Sequence, residues 1–462
     1  MSDNKFLSPA TFSVSAGTNP GWFTRFMADQ KRRKSLVVQP RMGFGSTEQM
    51  RRGLLAVQQA DATTIGTITL DSYTRVNDYQ AAYQALVDGH DLNGFPLVTH
   101  GPEVTQQMLE GIIGDDFPVQ VRHGSALPLE IFKAILRTGL DATEGGPVSY
   151  CLPYSRVPLR LAIKEWGDCC RLFASERSQG KINHLESFGG CMLGQLCPPS
   201  LLVALSILEG VFFRHHGLAS ISLSYAQQTN LHQDCEAVAA LRLLADQYLS
   251  DVDWHIVIYT YMGVYPRTLA GATSLLQESV KLAISTRSER LIVKTPVEAS
   301  RIPTIEENVA ALEVAATSAN AYAEDRRESS VSAMAHDSEV YAEAVTLVET
   351  VLALSSDPGE ALALAFEGGL LDVPFCLHPS NRNLARSFID DRGWLQWADS
   401  GRMPLPGRRS LNASGRVTAY QLMDMLSYNE RRFDTQLLAH TTKPMVTSEK
   451  ASMQALPVGS RH

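Results

Sequence analysis

Two runs, Pro118-Val119-Gln120-Val121-Arg122-His123-Gly124 and Glu144-Gly145-Gly146-Pro147-Val148-Ser149-Tyr150-Cys151-Leu152-Pro153-Tyr154, decide how this chain reads. Each is an apolar, β-branched stretch that breaks into Gly, His, Glu or Pro. A helical pattern from Leu127 to Gly139 separates them. Strand, helix, strand over roughly 35 residues is a βαβ unit, so its two strands are parallel neighbours. Such folds place their chemistry at the C-terminal ends of the strands. The unit therefore predicts that Arg122, Glu144, Tyr150 and Tyr154 face one pocket, with Tyr150 on the second strand. An arginine, a carboxylate and two phenols suit a small zwitterionic acid. They equally suit a structural ion pair at a barrel rim, and this stretch alone does not choose.

The rhythm extends both ways. Ser35–Arg41, Thr64–Asp71 and Asn93–Val98 read as strands before the unit; Lys181–Phe188, Ser220–Tyr225, His255–Tyr261 and Arg290–Lys294 read as strands after it. Helices are expected at Thr47–Gln59, Tyr79–Asp88, Leu159–Phe173, Ser200–His215, Cys235–Leu249 and Ala270–Ile284. Alternation every ~25 to 40 residues predicts a parallel α/β fold. Nine candidate strands fit an eight-stranded (β/α)8 TIM barrel with one misread strand. An open sheet fits less well, because polar residues follow nearly every strand instead of gathering at one switch point.

Residues 1–34 form an N-terminal lead-in with helix around Trp22–Arg33, and 35–303 form the catalytic barrel. Residues 304–438 form a mostly helical and irregular extension. In it, helix Glu306–Ser356 is interrupted near Arg326–Ser332, and Glu360–Gly368 is a further helix. Gly369–Pro406 reads as irregular and Tyr420–Leu438 as one last helix. The polar tail, 439–462, is expected to be mobile.

A chain of 462 residues buries a large core, and its net charge of −8 with 19% charged residues gives no electrostatic case for nucleic acid. The one basic run, Lys31–Lys34, reads as the solvated end of a helix. Seven cysteines, an odd number with no C-x-x-C pair, indicate reduced thiols and neither a disulfide framework nor a zinc site. Met1–Gly21 lacks the apolar core of a signal peptide, and Leu201–Phe213 is too short to span a bilayer and contains Glu209. These features predict a cytoplasmic protein.

Several apparent motifs carry no weight. Gly43-Phe44-Gly45-Ser46-Thr47-Glu48 lacks the third glycine of a dinucleotide fingerprint, and no Walker loop occurs. His123 and His215-His216 have no partner at metal-ligand spacing, so no metal site is expected. Asp88-Gly89-His90-Asp91-Leu92-Asn93 approaches the D-x-H-x-x-G that binds cobalamin through its histidine, but its last position is Asn. Three arginines, Arg41, Arg75 and Arg122, follow three strands at equivalent places. A guanidinium fork holds a carboxylate by two parallel bonds. Three forks suit a ligand with two carboxylates, and Glu144 would accept from its amino group.

Gln39-Pro40-Arg41-x-Gly43, Tyr73-Thr74-Arg75-x-Asn77, Leu92-Asn93-Gly94-Phe95-Pro96, Arg122-His123-Gly124, the Glu144–Tyr154 run, Cys197-Pro198-Pro199-Ser200, Ala239-Ala240-Leu241-Arg242, Val293-Lys294-Thr295-Pro296-x-Glu298-Ala299 and Asp372-Val373-Pro374-Phe375 stand in this order. In that order they resemble the large, epsilon subunit of the glutamate mutase (methylaspartate mutase) family, over about residues 35 to 405. The resemblance implies a (β/α)8 barrel that uses adenosylcobalamin to interconvert L-glutamate and (2S,3S)-3-methylaspartate by a radical carbon-skeleton rearrangement. It implies that Arg41, Arg75 and Arg122 grip the substrate carboxylates, completed by His123, Tyr150 and Tyr154. Glu144 would hold and deprotonate the substrate amino group. Gly43, Asn93, Pro153, Tyr265, Lys294, Glu298 and Ile302 would contact the cofactor, with Lys294 and Glu298 on its ribose.

The resemblance also implies a partner. This chain lacks the cobalt-ligating histidine motif, so a small cobalamin-binding subunit carrying D-x-H-x-x-G would complete the site, in a heterotetramer built on a dimer of large subunits. Departures from the family pattern are Tyr265, where a phenylalanine is expected, Gln227-Gln228-Thr229 in place of a Gly-rich turn, and Phe188–Gln195. Two other readings stand beside this one: a mutase subunit acting on another amino diacid, and a non-catalytic paralogue that only assembles with the small subunit. The presence of all three arginines and Glu144 argues against the paralogue.

Overall fold

The computed structural model describes residues 19–192, 196–299, 301–324, 337–405 and 417–441. Eight parallel strands form one sheet: β1 Val37–Pro40, β2 Gly66–Thr69, β3 Val119–Arg122, β4 Ala142–Gly145, β5 His184–Ser187, β6 Ser220–Ala226, β7 Asp253–Tyr259 and β8 Arg290–Val293. The neighbour order is β1-β8-β7-β6-β5-β4-β3-β2. Val38 N–H donates to Thr63 O at 2.9 Å and Val38 bridges Thr64, which brings β1 back to the chain leading into β2. The sheet is a (β/α)8 TIM barrel.

Helices follow each strand. After α1 (Trp22–Arg33) come α2 (Thr47–Gln58), the short α3 (Ser72–Arg75), α4 (Tyr79–Val87), α5 (Leu97–Leu109), α6 (Leu129–Arg137), α7 (Leu159–Ser175) and α8 (Pro199–His215). Then come α9 (Leu231–Tyr248), α10 (Leu269–Ser285) and α11 (Ile305–Glu324). α11 packs on both α10 and α2, so the helix after the last strand meets the helix after the first. α12 (Glu339–Leu352) and α13 (Pro358–Gly368) lie outside, against α7, α8 and α9. α8 explains its own apolar run: Pro199 to Phe213 is buried throughout, between the sheet and these outer helices. Among the described residues no helix is long and apolar enough to cross a membrane.

Four expectations need correction. Asn93–Val98 is not a strand: only Phe95 makes a single bridge, to Leu70, and α5 begins at Leu97. Pro96 offers no N–H for a ladder, so the ninth candidate ends there. The run after Glu144 leaves the sheet at Gly145 (φ +131°), and Pro147–Tyr154 is a series of turns, so Tyr150 is on a loop. Gly369–Pro406 contains an antiparallel hairpin, β9 (Arg386–Ile389) with β10 (Leu395–Asp399). The last helix is two, α14 (Ala419–Leu426) and α15 (Tyr428–Thr441), separated at Ser427. The interruption expected at Arg326–Ser332 and the tail beyond residue 441 lie outside the described residues.

The barrel interior is polar where such barrels are ordinarily filled by branched apolar residues. Arg290, fully buried, pairs with the equally buried Glu186. Gln39, Gln120 and Ser222 surround the pair: Gln39 Nε2 donates to Gln120 Oε1 at 2.8 Å, and Arg290 Nη2 donates to Ser222 Oγ at 3.0 Å. Beside this layer, Phe23 of α1 stacks on His184 at 4.5 Å, and the Arg290 guanidinium lies 5.2 Å from the Phe23 ring centre. The lead-in helix is therefore part of the barrel's packing. Its last turn carries the exposed Lys31, Arg32 and Arg33, ending in the left-handed Lys34.

Removing one partner of a buried pair strands the other charge. Arg290→Met is expected to destabilise the fold by roughly 3–5 kcal/mol. Arg160→Ala, which breaks half-exposed pairs to Glu360 and Glu367, is expected to cost about 1 kcal/mol or less. Denaturant unfolding of both variants checks the contrast.

Candidate active site

A cavity of about 510 Å³ opens at the C-terminal end of the strands. Arg41 follows β1, Arg75 closes α3 after β2, Arg122 ends β3 and His123 follows it. Glu144 is the third residue of β4, and the loop after it carries Tyr150 and Tyr154. All seven line the cavity, together with Arg156, Phe188 and Met262.

Glu144 is 1% exposed and receives three donors. Arg122 Nε donates to its Oε2 at 2.7 Å, Tyr259 OH donates to Oε2 at 2.7 Å, and Tyr150 OH donates to Oε1. Burial, reinforced by Glu144, pushes the Tyr150 phenol well above its ordinary value, so it keeps its hydrogen as a donor. Burial lowers the Arg75 guanidinium, and nearby Arg41 and Arg122 add to that. Three mutually repelling guanidinia line the cavity; Arg122 is paired with Glu144, Arg41 with Glu298, and Asp71 lies near Arg75. Arg75 Nε donates to Leu70 O at 2.9 Å, and no described residue accepts from its terminal nitrogens. His123 Nδ1 accepts from Ser125 N–H at 3.0 Å, which assigns the ring hydrogen to Nε2. Burial, with Arg75 adding to it, pushes its pKa down to about 3, so His123 is neutral.

The residues expected at the cofactor lie around this cavity and not in its lining. Lys294 Nζ sits 4.2 Å from the centre of the Tyr265 ring, and Tyr265 OH donates to Lys294 O at 3.4 Å. Burial lowers the Lys294 ammonium to about 8. Glu298 Oε2 accepts from Arg41 Nη1 at 3.0 Å, so the two roles expected of this pair require it to open. Asn93 Oδ1 accepts from Ser72 N–H at 2.9 Å beside the cavity. Gly43 backs onto the Thr69 carbonyl, where a Cβ would stand 2.2 Å away. Pro153 precedes the half-exposed Tyr154, and Ile302 is 59% exposed. Gln227-Gln228-Thr229 ties the barrel to the extension: Thr229 Oγ1 donates to Gly393 O at 2.7 Å, and Asn429 Nδ2 donates to Gln228 O at 3.0 Å. Part of Phe188–Gln195 lies outside the described residues.

Sequence reasoning missed Tyr259, Glu186 and Glu209. Glu209 of α8 is fully buried and accepts from Val148 N–H at 3.1 Å, Ser149 N–H at 2.9 Å, Ser149 Oγ at 3.0 Å and Ser187 Oγ at 2.9 Å. It thus holds the loop that presents Tyr150. A Cβ at Gly146 would meet this carboxylate at 2.1 Å, and one at Gly145 would meet the Tyr150 ring at 2.5 Å. The visible signal was a lone glutamate inside an otherwise apolar helical run.

Burial pushes Glu209 up to about 7 from an ordinary 4.5, against its four donors. The folded state then holds a proton that the unfolded chain has lost, so stability falls as pH rises from about 4.5 to about 7 and levels off above. Relative to Glu209→Gln, the wild type is expected to lose roughly 3 kcal/mol across that window. Unfolding midpoints of both proteins at a series of pH values test this.

Residues 19–433 match the family model described as Methylaspartate mutase E chain (MutE). The chain is similar to the glutamate mutase epsilon subunit of Desulfitobacterium hafniense, at 31% identity over 83% of this chain and 81% of that protein. It is similar to that of Haloarcula marismortui, at 30% identity over 80% and 77%. The same-named protein of Escherichia coli O157:H7 is 29% identical over 73% and 72%. With the barrel and the arginine-lined cavity in place, this match over most of its length shows that the chain belongs to the methylaspartate mutase E chain family of isomerase large subunits.

Proposed function

We propose that this chain is the catalytic subunit of a cytoplasmic glutamate mutase that interconverts L-glutamate and (2S,3S)-3-methylaspartate. The observation that carries the reading is the convergence of Arg41, Arg75, Arg122 and the buried Glu144 on one cavity. Arg75, whose terminal nitrogens no described residue engages, takes one substrate carboxylate. Arg122 lends positive charge without releasing Glu144, and Arg41 takes the other carboxylate once Glu298 lets it go. His123 Nε2–H, Tyr150 and Tyr154 close around the ligand.

Adenosylcobalamin would supply the radical that removes a substrate hydrogen. The residues fit such a group: Lys294 presents a buried ammonium with no acceptor among the described residues, and Glu298 adds a carboxylate. That pairing of donor and acceptor suits ribose hydroxyls, and the apolar Ile302 at the rim suits a flat, partly apolar ligand. The rest of the cofactor would be held by a small subunit carrying D-x-H-x-x-G, docked on the C-terminal face of the barrel, in a heterotetramer with two large subunits. Glu144 takes a proton from the substrate ammonium, freeing the nitrogen lone pair to stabilise an adjacent radical centre. The cavity walls keep water and side reactions away.

Replacing Arg41, Arg75 or Arg122 with Lys keeps the charge and loses the fork. Each variant is expected to lose roughly 10²-fold or more in kcat/KM. Glu144→Gln keeps size, leaves one oxygen to accept from Arg122 and removes basicity, so kcat is expected to fall by about two orders of magnitude with KM changing much less. Steady-state kinetics of the reconstituted enzyme checks both. Loss of binding with kcat intact would make Glu144 an ammonium clamp only.

A further inference from the structure

Glu144 is not the end of the polar chain on the barrel axis. Tyr259, the last residue of β7, places its hydroxyl 2.7 Å from Glu144 Oε2 and in hydrogen-bond contact with Glu186 Oε1. Glu144 and Tyr259 are each 1% exposed and Glu186 is fully buried. The Tyr259 ring is fixed between Phe188, edge-on at 5.4 Å, and the Arg122 guanidinium, 5.1 Å from the ring centre. One phenol oxygen is thus held between two buried carboxylates.

Counting hydrogens shows what this arrangement lacks. Two buried oxygens attract only with a hydrogen between them. The Glu144–Tyr259 and Tyr259–Glu186 contacts need two, and a phenol has one. Burial pushes the Tyr259 phenol well above its ordinary value, so that one hydrogen stays. With both carboxylates ionised the chain is one hydrogen short.

We propose that Glu144, Tyr259 and Glu186 act as a single one-proton acceptor, in which Tyr259 relays to Glu186 the proton that Glu144 takes from the substrate ammonium. The proposal rests on the reading of Glu144 as the base. In the first step an ammonium N–H bond breaks, its electron pair stays on nitrogen, and an O–H bond forms on Glu144. In the second, that hydrogen moves to the phenol oxygen while the phenol's own hydrogen moves to Glu186. Glu144 is again a carboxylate, both contacts now hold a hydrogen, and the reverse sequence returns the proton to the product. Nothing is oxidised or reduced.

The groups facing this chain come from most of the barrel. Arg122 on β3 and Tyr150 on the loop after β4 donate to Glu144. Arg290 on β8, Gln120 on β3 and Ser222 on β6 donate to Glu186. Cys191 lies near both carboxylates, and His123 and Tyr154 lie near Glu144. Two arginines balance two carboxylates, so the added proton is compensated by the carboxylates that the substrate brings.

Tyr259→Phe keeps the ring between Phe188 and Arg122 and removes only the oxygen. In the enzyme reconstituted with its partner and adenosylcobalamin, kcat is expected to fall about 10-fold or more with KM within about threefold. In this chain alone, infrared difference spectra should show a carboxylic-acid carbonyl band from Glu186 appearing when glutamate binds, and that band should move in the variant, where the proton stays on Glu144. A variant that folds with wild-type thermal stability yet shows an unchanged kcat and an unchanged band would overturn the relay. So would a loss confined to KM. If Glu144→Gln retains turnover, the base reading itself fails; if it is inactive while Tyr259→Phe behaves as wild type, only the relay fails.

Discussion

Two guanidinium–carboxylate pairs buried inside one barrel constrain everything else in this molecule. Arg290–Glu186 and Arg122–Glu144 are buried, where a lone charge costs several kcal/mol. Each survives because the strands around it supply the remaining hydrogen bonds. Gln39, Gln120 and Ser222 serve the first pair, and Tyr150 and Tyr259 serve the second. Phe23 and the stacked His184 and His255 pack beside Arg290, with burial holding both histidines neutral. The barrel thus presents charged groups at its C-terminal mouth, over a buried polar layer on its axis.

The loop after β4 carries that interior into the cavity wall. Gly145 turns the chain out of the sheet directly after Glu144, and Glu209 takes the first N–H groups of the loop. Tyr150 is therefore delivered back onto Glu144 from the side, instead of continuing along a strand. Arg75 is placed by a comparable device: Asp71 caps α3 by accepting from Tyr73 and Thr74 N–H groups, which sets the short helix that ends in the arginine.

Much of the barrel and the arginine set could be read from sequence, because strand period and strand-end polarity are local signals. Arg41, Arg122 and Glu144 follow directly from that rule. Some errors came from tertiary contacts and others from local breakers. Val148-Ser149-Tyr150-Cys151 has the alternation of a strand, but the residue that bends it, Glu209, lies 60 positions away from Ser149. Asn93–Val98 has apolar strand composition, but Pro96 ends it before a ladder forms. Tyr259 closes an Ile-Val-Ile run that reads as barrel wall, and its partner Glu186 is 73 positions away. The Arg386–Asp399 hairpin was hidden by its Gly-, Asp- and Trp-rich turn.

In the proposed enzyme, this chain supplies the substrate half of a two-protein active site. The direct measurement is carbon-13 NMR of labelled L-glutamate incubated with the purified chain, adenosylcobalamin and the small D-x-H-x-x-G subunit, and with each component withheld in turn. 3-Methylaspartate signals are expected only when all three are present. Full turnover by the chain and cofactor without the partner, or no methylaspartate from the complete mixture, would contradict that expectation.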